Sequence, residues 1–278
     1  MKTGPTNPIL FLPGAGGVAP DLSLFKDGPD DPTRFQAISY PGWRRYVADD
    51  FSAEVLLAEL EQRIVAAVPE GPICLMGLSL GGHLGYALAL RLQASGREIA
   101  GVCIIDSFMI ESAGPSAGWQ GRALAQALEL LRQGRMSEFI AFVRSKFWRA
   151  LLRLSPGGLT SLLQKSSSHQ TSAAPSAADS MLELETSMRL LIRITAPWVA
   201  ARDYQPEPLL APVALLRTIG TAADDNAWRR RCPKLQVFEV EGHHHSLFEP
   251  QHLTILRNAF HTATRDWPLR APLDRLVS

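Results

Sequence analysis

Apolar positions along this chain follow two rhythms. Short apolar runs bounded by turn residues alternate with longer segments of helical period, the pattern of a mainly parallel sheet with helices on both faces. Strands are predicted at Pro8 to Leu12, Phe35 to Tyr40, Pro72 to Gly77, Gly101 to Asp106, Pro212 to Thr218 and Leu235 to Val240. Between the second and third, Ser52 to Val68 places Leu56, Leu60, Ile64 and Val68 on one helical face that can pack on the sheet. Leu80 to Gln93 follows its strand almost without a loop and reads as a helix entered by a sharp turn, and Pro250 to Thr264 reads as a final helix. The rhythm breaks between Ser107 and about Pro208, where helical patterns and aromatics (Trp119, Phe139, Phe142, Phe147, Trp148, Trp198) occur without a clear strand. The expected organisation is one α/β domain over residues 1–278 with a helical insertion at 107–208. Within the insertion, Ser166 to Ser180 is rich in Ser and Ala, buries too little apolar surface to offset its ordering entropy, and is expected to be mobile.

The 278 residues suffice for a full core. Lys and Arg total 28 against 27 Asp and Glu, so no overall field draws nucleic acid or an anionic membrane to the molecule, and electrostatic recognition must be local. The apolar stretch Ile9 to Leu12 is too short for a secretory core, and no run approaches the roughly 18 apolar residues a membrane span needs. Three widely spaced cysteines, with Cys74 and Cys103 inside apolar runs, suit reduced thiols acting as small hydrophobes. A cytoplasmic enzyme is expected.

Candidate chemistry centres on Gly77-Leu78-Ser79-Leu80-Gly81-Gly82, a G-x-S-x-G between the apolar run Ile73 to Met76 and a helix. That context defines a nucleophile elbow, a strained strand-to-helix turn whose flanking glycines avoid collisions and whose Ser79 would be the nucleophile. A serine hydroxyl needs a base, usually His oriented by a carboxylate. The loop Gly242-His243-His244-His245-Ser246 follows the last strand, at the edge where open α/β sheets gather their sites. Three successive histidines on a loop cannot all converge on one ion, so a metal centre is not expected. For the acid, Asp106 at the end of its strand is favoured over Asp224 and Asp225, which can cap the helix containing Trp228. Both give the chain order Ser, Asp, His stated for α/β-hydrolases. Oxyanion donors are expected from the Leu80 amide and from the Gly-rich loop Pro13 to Gly17, with Gly14 first and Ala15 as the alternative.

With these parts in hand, the sequence resembles the thioesterase domains of the nonribosomal peptide and polyketide synthase family, of the α/β-hydrolase superfamily. Four segments carry the resemblance: Phe11 to Gly17, Gly77 to Gly82, Ile104 to Ser107, and Gly242 to Pro250. It implies Ser79, Asp106 and His244 as a catalytic triad, His244 being selected over its neighbours because the family's closing motif puts the base two residues after a Gly. The flanking His243 and His245, and His83 one turn after Ser79, depart from that motif. The resemblance further implies a helical lid at 107–208, no bound cofactor, and an acyl, peptidyl or polyketide substrate delivered on the phosphopantetheine of a carrier protein. Release would occur by hydrolysis or cyclisation. A proofreading thioesterase, an esterase of small free esters and a non-catalytic binding protein are the rival readings. Because carrier proteins are usually acidic, Arg144, Lys146, Arg149 and Arg153, or Arg44 and Arg45, are expected to contact the partner.

Overall fold

The computed structural model describes residues 7–28, 30–107, 177–200, 207–219, 225–244 and 246–267. Their strands are β1 (Ile9–Leu12), β2 (Phe35–Ala37), β3 (Ile73–Leu78), β4 (Ile99–Ile105), β5 (Val213–Thr218) and β6 (Leu235–Val240). All pair in parallel in the order β2-β1-β3-β4-β5-β6, which requires crossovers that bring helices onto both faces. The helices are α1 (Trp43–Tyr46), α2 (Ala53–Ala67), α3 (Leu80–Ala94), α4 (Ala177–Ala200), α5 (Asn226–Arg231) and α6 (Pro250–Thr264), with a 3₁₀ turn at Leu22–Phe25.

Parallel strands covered on two sides explain why the apolar runs are continuous rather than alternating. One set of alternate residues (Phe11, Cys74, Met76, Cys103, Ile105, Leu216) packs with Phe25, Leu256 and Phe260 in a single core. Phe25 and Phe260 meet edge to face at 5.4 Å, tying the 3₁₀ turn to α6. The intervening residues face α3, which approaches closely through Gly85: a Cβ there would lie 3.3 Å from Leu12 Cδ1. All three cysteines are buried and free, and burial pushes the Cys74 and Cys103 thiols up. As hydrophobic packing elements they need no partner.

Each predicted strand is found, β6 with the expected bounds and the others with one or both ends shifted by up to three residues. β2 is the most shortened, stopping at Ala37, although Ile38 N–H still donates to Phe11 O. The helix predicted from Ser52 begins at Ala53 because the Ser52 side chain caps it, accepting from Val55 N–H at 3.2 Å. Most of the predicted insertion, residues 108–176 and 201–206, lies outside the described residues. Its described part is α4, which buries Leu190, Leu191 and Thr195 and accepts a hydrogen bond from Trp43 N–H on Ser187 Oγ. Of the stretch expected to be mobile, Ala177 to Ser180 lies in the first turn of α4, where Ala and the following Met, Leu and Glu favour helix; residues 166–176 lie outside the described residues.

Candidate active site

The carboxyl ends of β3, β4 and β6 bring the predicted residues to one edge of the sheet. Ser79 follows β3 with φ +54° and ψ −117°, a conformation uncommon for a residue with a Cβ. Sterics hold it there. A Cβ on Gly77 would sit 2.2 Å from Gly81 O, and one on Gly81 would sit 2.0 Å from Leu12 O, so both flanking glycines are required by backbone contact. Ser79 occupies the N-cap position of α3, yet its side chain makes no capping hydrogen bond. The Leu80 amide lies in the first helical turn, where backbone N–H groups have no carbonyl partner within the helix and the dipole favours negative charge.

Asp106, immediately after β4, is the other non-glycine residue with positive φ among those described, at +47°. Asp tolerates that region better than most residues. Its side chain is 1% exposed and fully engaged. Oδ1 accepts from Thr218 N–H at 3.1 Å and from Thr218 Oγ1–H at 2.8 Å. Oδ2 lies 2.6 Å from His244 Nδ1. Burial alone would raise the carboxyl's pKa, but the bonds from His244 and Thr218 outweigh it and hold the group below the usual carboxylate range. An ionised carboxylate only accepts, so Nδ1 carries the ring proton and Nε2 of a neutral ring keeps its lone pair.

The same contact discriminates among the histidines. His244 reaches Asp106, whereas His243 is exposed and His245 lies outside the described residues. The His244 side chain is 38% exposed. Its loop turns on Ser246, whose Oγ accepts from His243 N–H at 3.0 Å and whose N–H donates to His243 O at 2.8 Å. His83 is buried instead, stacked on Trp228 at 5.8 Å.

Of the two alternative acids, Asp225 is engaged elsewhere. Asp225 stands at the N-cap of α5 but forms no capping bond; its carboxylate pairs with Arg217 at 3.2 Å. Arg217 also bonds Glu239 on the neighbouring strand. Asp224 lies outside the described residues.

The Gly-rich loop after β1 runs alongside the elbow. A Cβ on Gly14 would lie 3.8 Å from Ser79 Cβ, and Gly17 N–H donates to Gly14 O at 2.9 Å. Tyr40 O–H donates to Pro13 O at 2.6 Å, pinning the loop's start. Burial, then the nearby Tyr46, pushes the Tyr40 phenol well up, so it remains a donor. Sequence reasoning missed Tyr40, for which only its place at the end of a predicted strand gave a cue.

Of the two basic clusters, Arg144, Lys146, Arg149 and Arg153 lie outside the described residues. Arg45 is committed within the chain, bonded to Asp50 and Glu59 at 2.8 Å each. Arg44 is exposed, its guanidinium 4.7 Å from the Trp43 ring. No described helix is long and apolar enough to cross a membrane.

Comparison with known proteins adds an independent line. Residues 7–264 match the family model described as Thioesterase domain. The chain is 34% identical over 98 residues to the non-reducing polyketide synthase atnG of Arthrinium sp., a stretch that covers 35% of this chain and 5% of that protein. It is 24% identical over 259 residues to chondramide synthase cmdD of Chondromyces crocatus, covering 87% of this chain and 6% of that one. It therefore spans about a twentieth of the length of these relatives. Among solved structures, the NocB thioesterase domain in covalent complex with a fluorophosphonate nocardicin G analog superposes with a TM-score of 0.57 at 20% identity, covering 93% of this chain and 95% of that one. This likeness places the six-stranded parallel sheet and its helices in the α/β-hydrolase fold.

Proposed function

Since the chain belongs to the Thioesterase domain family, we propose that it releases an acyl, peptidyl or polyketide chain from the phosphopantetheine thioester of a carrier protein through an acyl-enzyme on Ser79. The observation that carries this reading is the 2.6 Å contact of His244 Nδ1 with a buried, ionised Asp106 at the same sheet edge as the elbow. It orients the ring and leaves Nε2 as the basic nitrogen. The similarity to a polyketide synthase and to chondramide synthase supports a substrate held on a carrier.

In this mechanism Ser79 Oγ bonds the thioester carbonyl carbon while its proton passes to His244 Nε2. General-base help of this kind is worth typically about 10²- to 10⁴-fold. The negative charge on the former carbonyl oxygen is met by the amides of Leu80 and Gly14, each such donor being worth about 3 to 4 kcal/mol of barrier. Collapse breaks the C–S bond, and the leaving thiolate takes the proton from His244. Water then attacks the acyl-enzyme, or a nucleophile of the substrate itself closes a ring, again with His244 as base. Asp106 stays ionised throughout and stabilises the imidazolium.

Intact-mass spectrometry after a fluorophosphonate probe tests the reading. One adduct is expected on the wild type and none on Ser79→Ala, with labelling strongly slowed by Asp106→Ala and His244→Ala. Turnover of a carrier-bound peptidyl or polyketide thioester is expected to exceed that of a simple ester and of a carrier loaded with acetyl. No adduct on the wild type would favour a binding protein. Preference for the simple ester would favour an esterase, and preference for acetyl carrier a proofreading enzyme.

A further inference from the structure

We propose that the Ser107 hydroxyl is a positioning residue that aims the Leu80 amide at the developing oxyanion, an inference that rests on the serine-hydrolase reading of Ser79. The Ser79 carbonyl and the Leu80 N–H belong to one planar trans peptide, so they point in opposite directions and turn together. Whatever fixes the carbonyl therefore fixes the donor. Ser107 Oγ lies 2.6 Å from Ser79 O, and Gly82 N–H reaches the same oxygen at 3.1 Å. The hydroxyl has one proton and two acceptors in reach; Ile105 O, at 3.2 Å, is the longer contact. The short bond therefore joins β4's end to the elbow.

Ser107 is itself held on its other side. It is 1% exposed, and its carbonyl accepts from Trp228 Nε1–H at 2.9 Å. Trp228 is clamped between His83, stacked at 5.8 Å, and Tyr86, edge-on at 5.3 Å. This chain of contacts runs from α5 through the residue next to Asp106 to the peptide behind Ser79. It also explains the glycine that follows the elbow motif. A Cβ on Gly82 would lie 2.1 Å from Ser107 Oγ, so glycine at that position admits the hydroxyl.

Two physical effects follow. The brace resists rotation of a peptide whose first residue sits at φ +54°, where serine has little intrinsic preference to remain. A proton donated to the amide oxygen also polarises the peptide, making its N–H a stronger donor. Both act on the tetrahedral intermediate rather than on the bound ground state, so the brace should govern kcat and leave KM alone.

The test compares wild type with Ser107→Ala using three readouts: fluorophosphonate titration of active sites, steady-state thioester turnover, and affinity for a trifluoromethyl ketone that adds reversibly to Ser79. Complete removal of an oxyanion donor costs about 10²- to 10³-fold; misaiming one should lower kcat on the order of 10- to 100-fold. Ketone affinity should fall by a similar factor, with KM and one titratable site per chain retained. A fall in titratable sites, with kcat and ketone affinity per site unchanged, would mean that Ser107 only packs and would overturn the proposal. Unchanged kcat and affinity would do the same. Absence of labelling in the wild type would instead remove the serine-hydrolase reading itself.

Discussion

The two halves of the candidate site are held by different forces. At the elbow, backbone meets backbone: Gly77 and Gly81 leave no room for a methyl group, and Ser79 is locked at positive φ between β3 and α3. At the loop after β6, side chains do the holding. His244 is partly exposed, fixed by Asp106 through its ring and by the Ser246 turn through its backbone. The nucleophile is thus part of the fold's framework, while the base is attached to it by a few hydrogen bonds. Damage to the first should cost stability and activity together; damage to the second should cost activity in a folded protein.

The sharpest separation should come from Asp106→Asn. Asparagine tolerates positive φ, and its carbonyl can still accept from Thr218, so the melting temperature should stay within a few degrees. Its amide would donate toward Nδ1, however, favouring the wrong tautomer, and kcat should fall about 10⁴-fold. A loss of cooperative unfolding in that variant would show that the acid belongs to the framework. Next in size, Gly81→Ala must displace both Leu12 O and Pro13 O. A cost of about 3 kcal/mol is expected, lowering the melting temperature by roughly 6 to 10 °C in a calorimetric scan. An unshifted transition would remove the steric account of the elbow. The smallest effect belongs to Ser246→Ala, which deletes the acceptor for His243 N–H. Here about 1 kcal/mol, or a fewfold drop in kcat, is expected, with probe stoichiometry on Ser79 unaltered.

How much of this was legible in the sequence follows the same division. The strands and the elbow rest on local signals, apolar runs and a Gly-flanked serine, and both were found where expected. Asp106 was legible as an acidic residue ending an apolar strand, but its positive φ was not, nor were the bonds it makes there: Leu216 O receives its N–H while Thr218 claims one carboxylate oxygen. Asp225 reads in sequence as a helix cap because the cation that claims it, Arg217, lies eight positions back on β5. Tyr40 and Ser107 bond backbone carbonyls, and a backbone carbonyl carries no residue-type signal for a pattern to match.

The separation of partners along the chain predicts an order of assembly. The Ser107 to Ser79 bond closes 28 residues, whereas the Asp106 to His244 bond spans 138. On loop-closure entropy alone the longer span costs about 1.4 kcal/mol more, and it also requires β5 and β6 to have joined the sheet. A chain ordered only through β4 would have both strands that flank the elbow but no base. During refolding, then, reactivity toward the probe reports the docking of the last strand, making the enzyme's own chemistry a clock for the completion of its sheet.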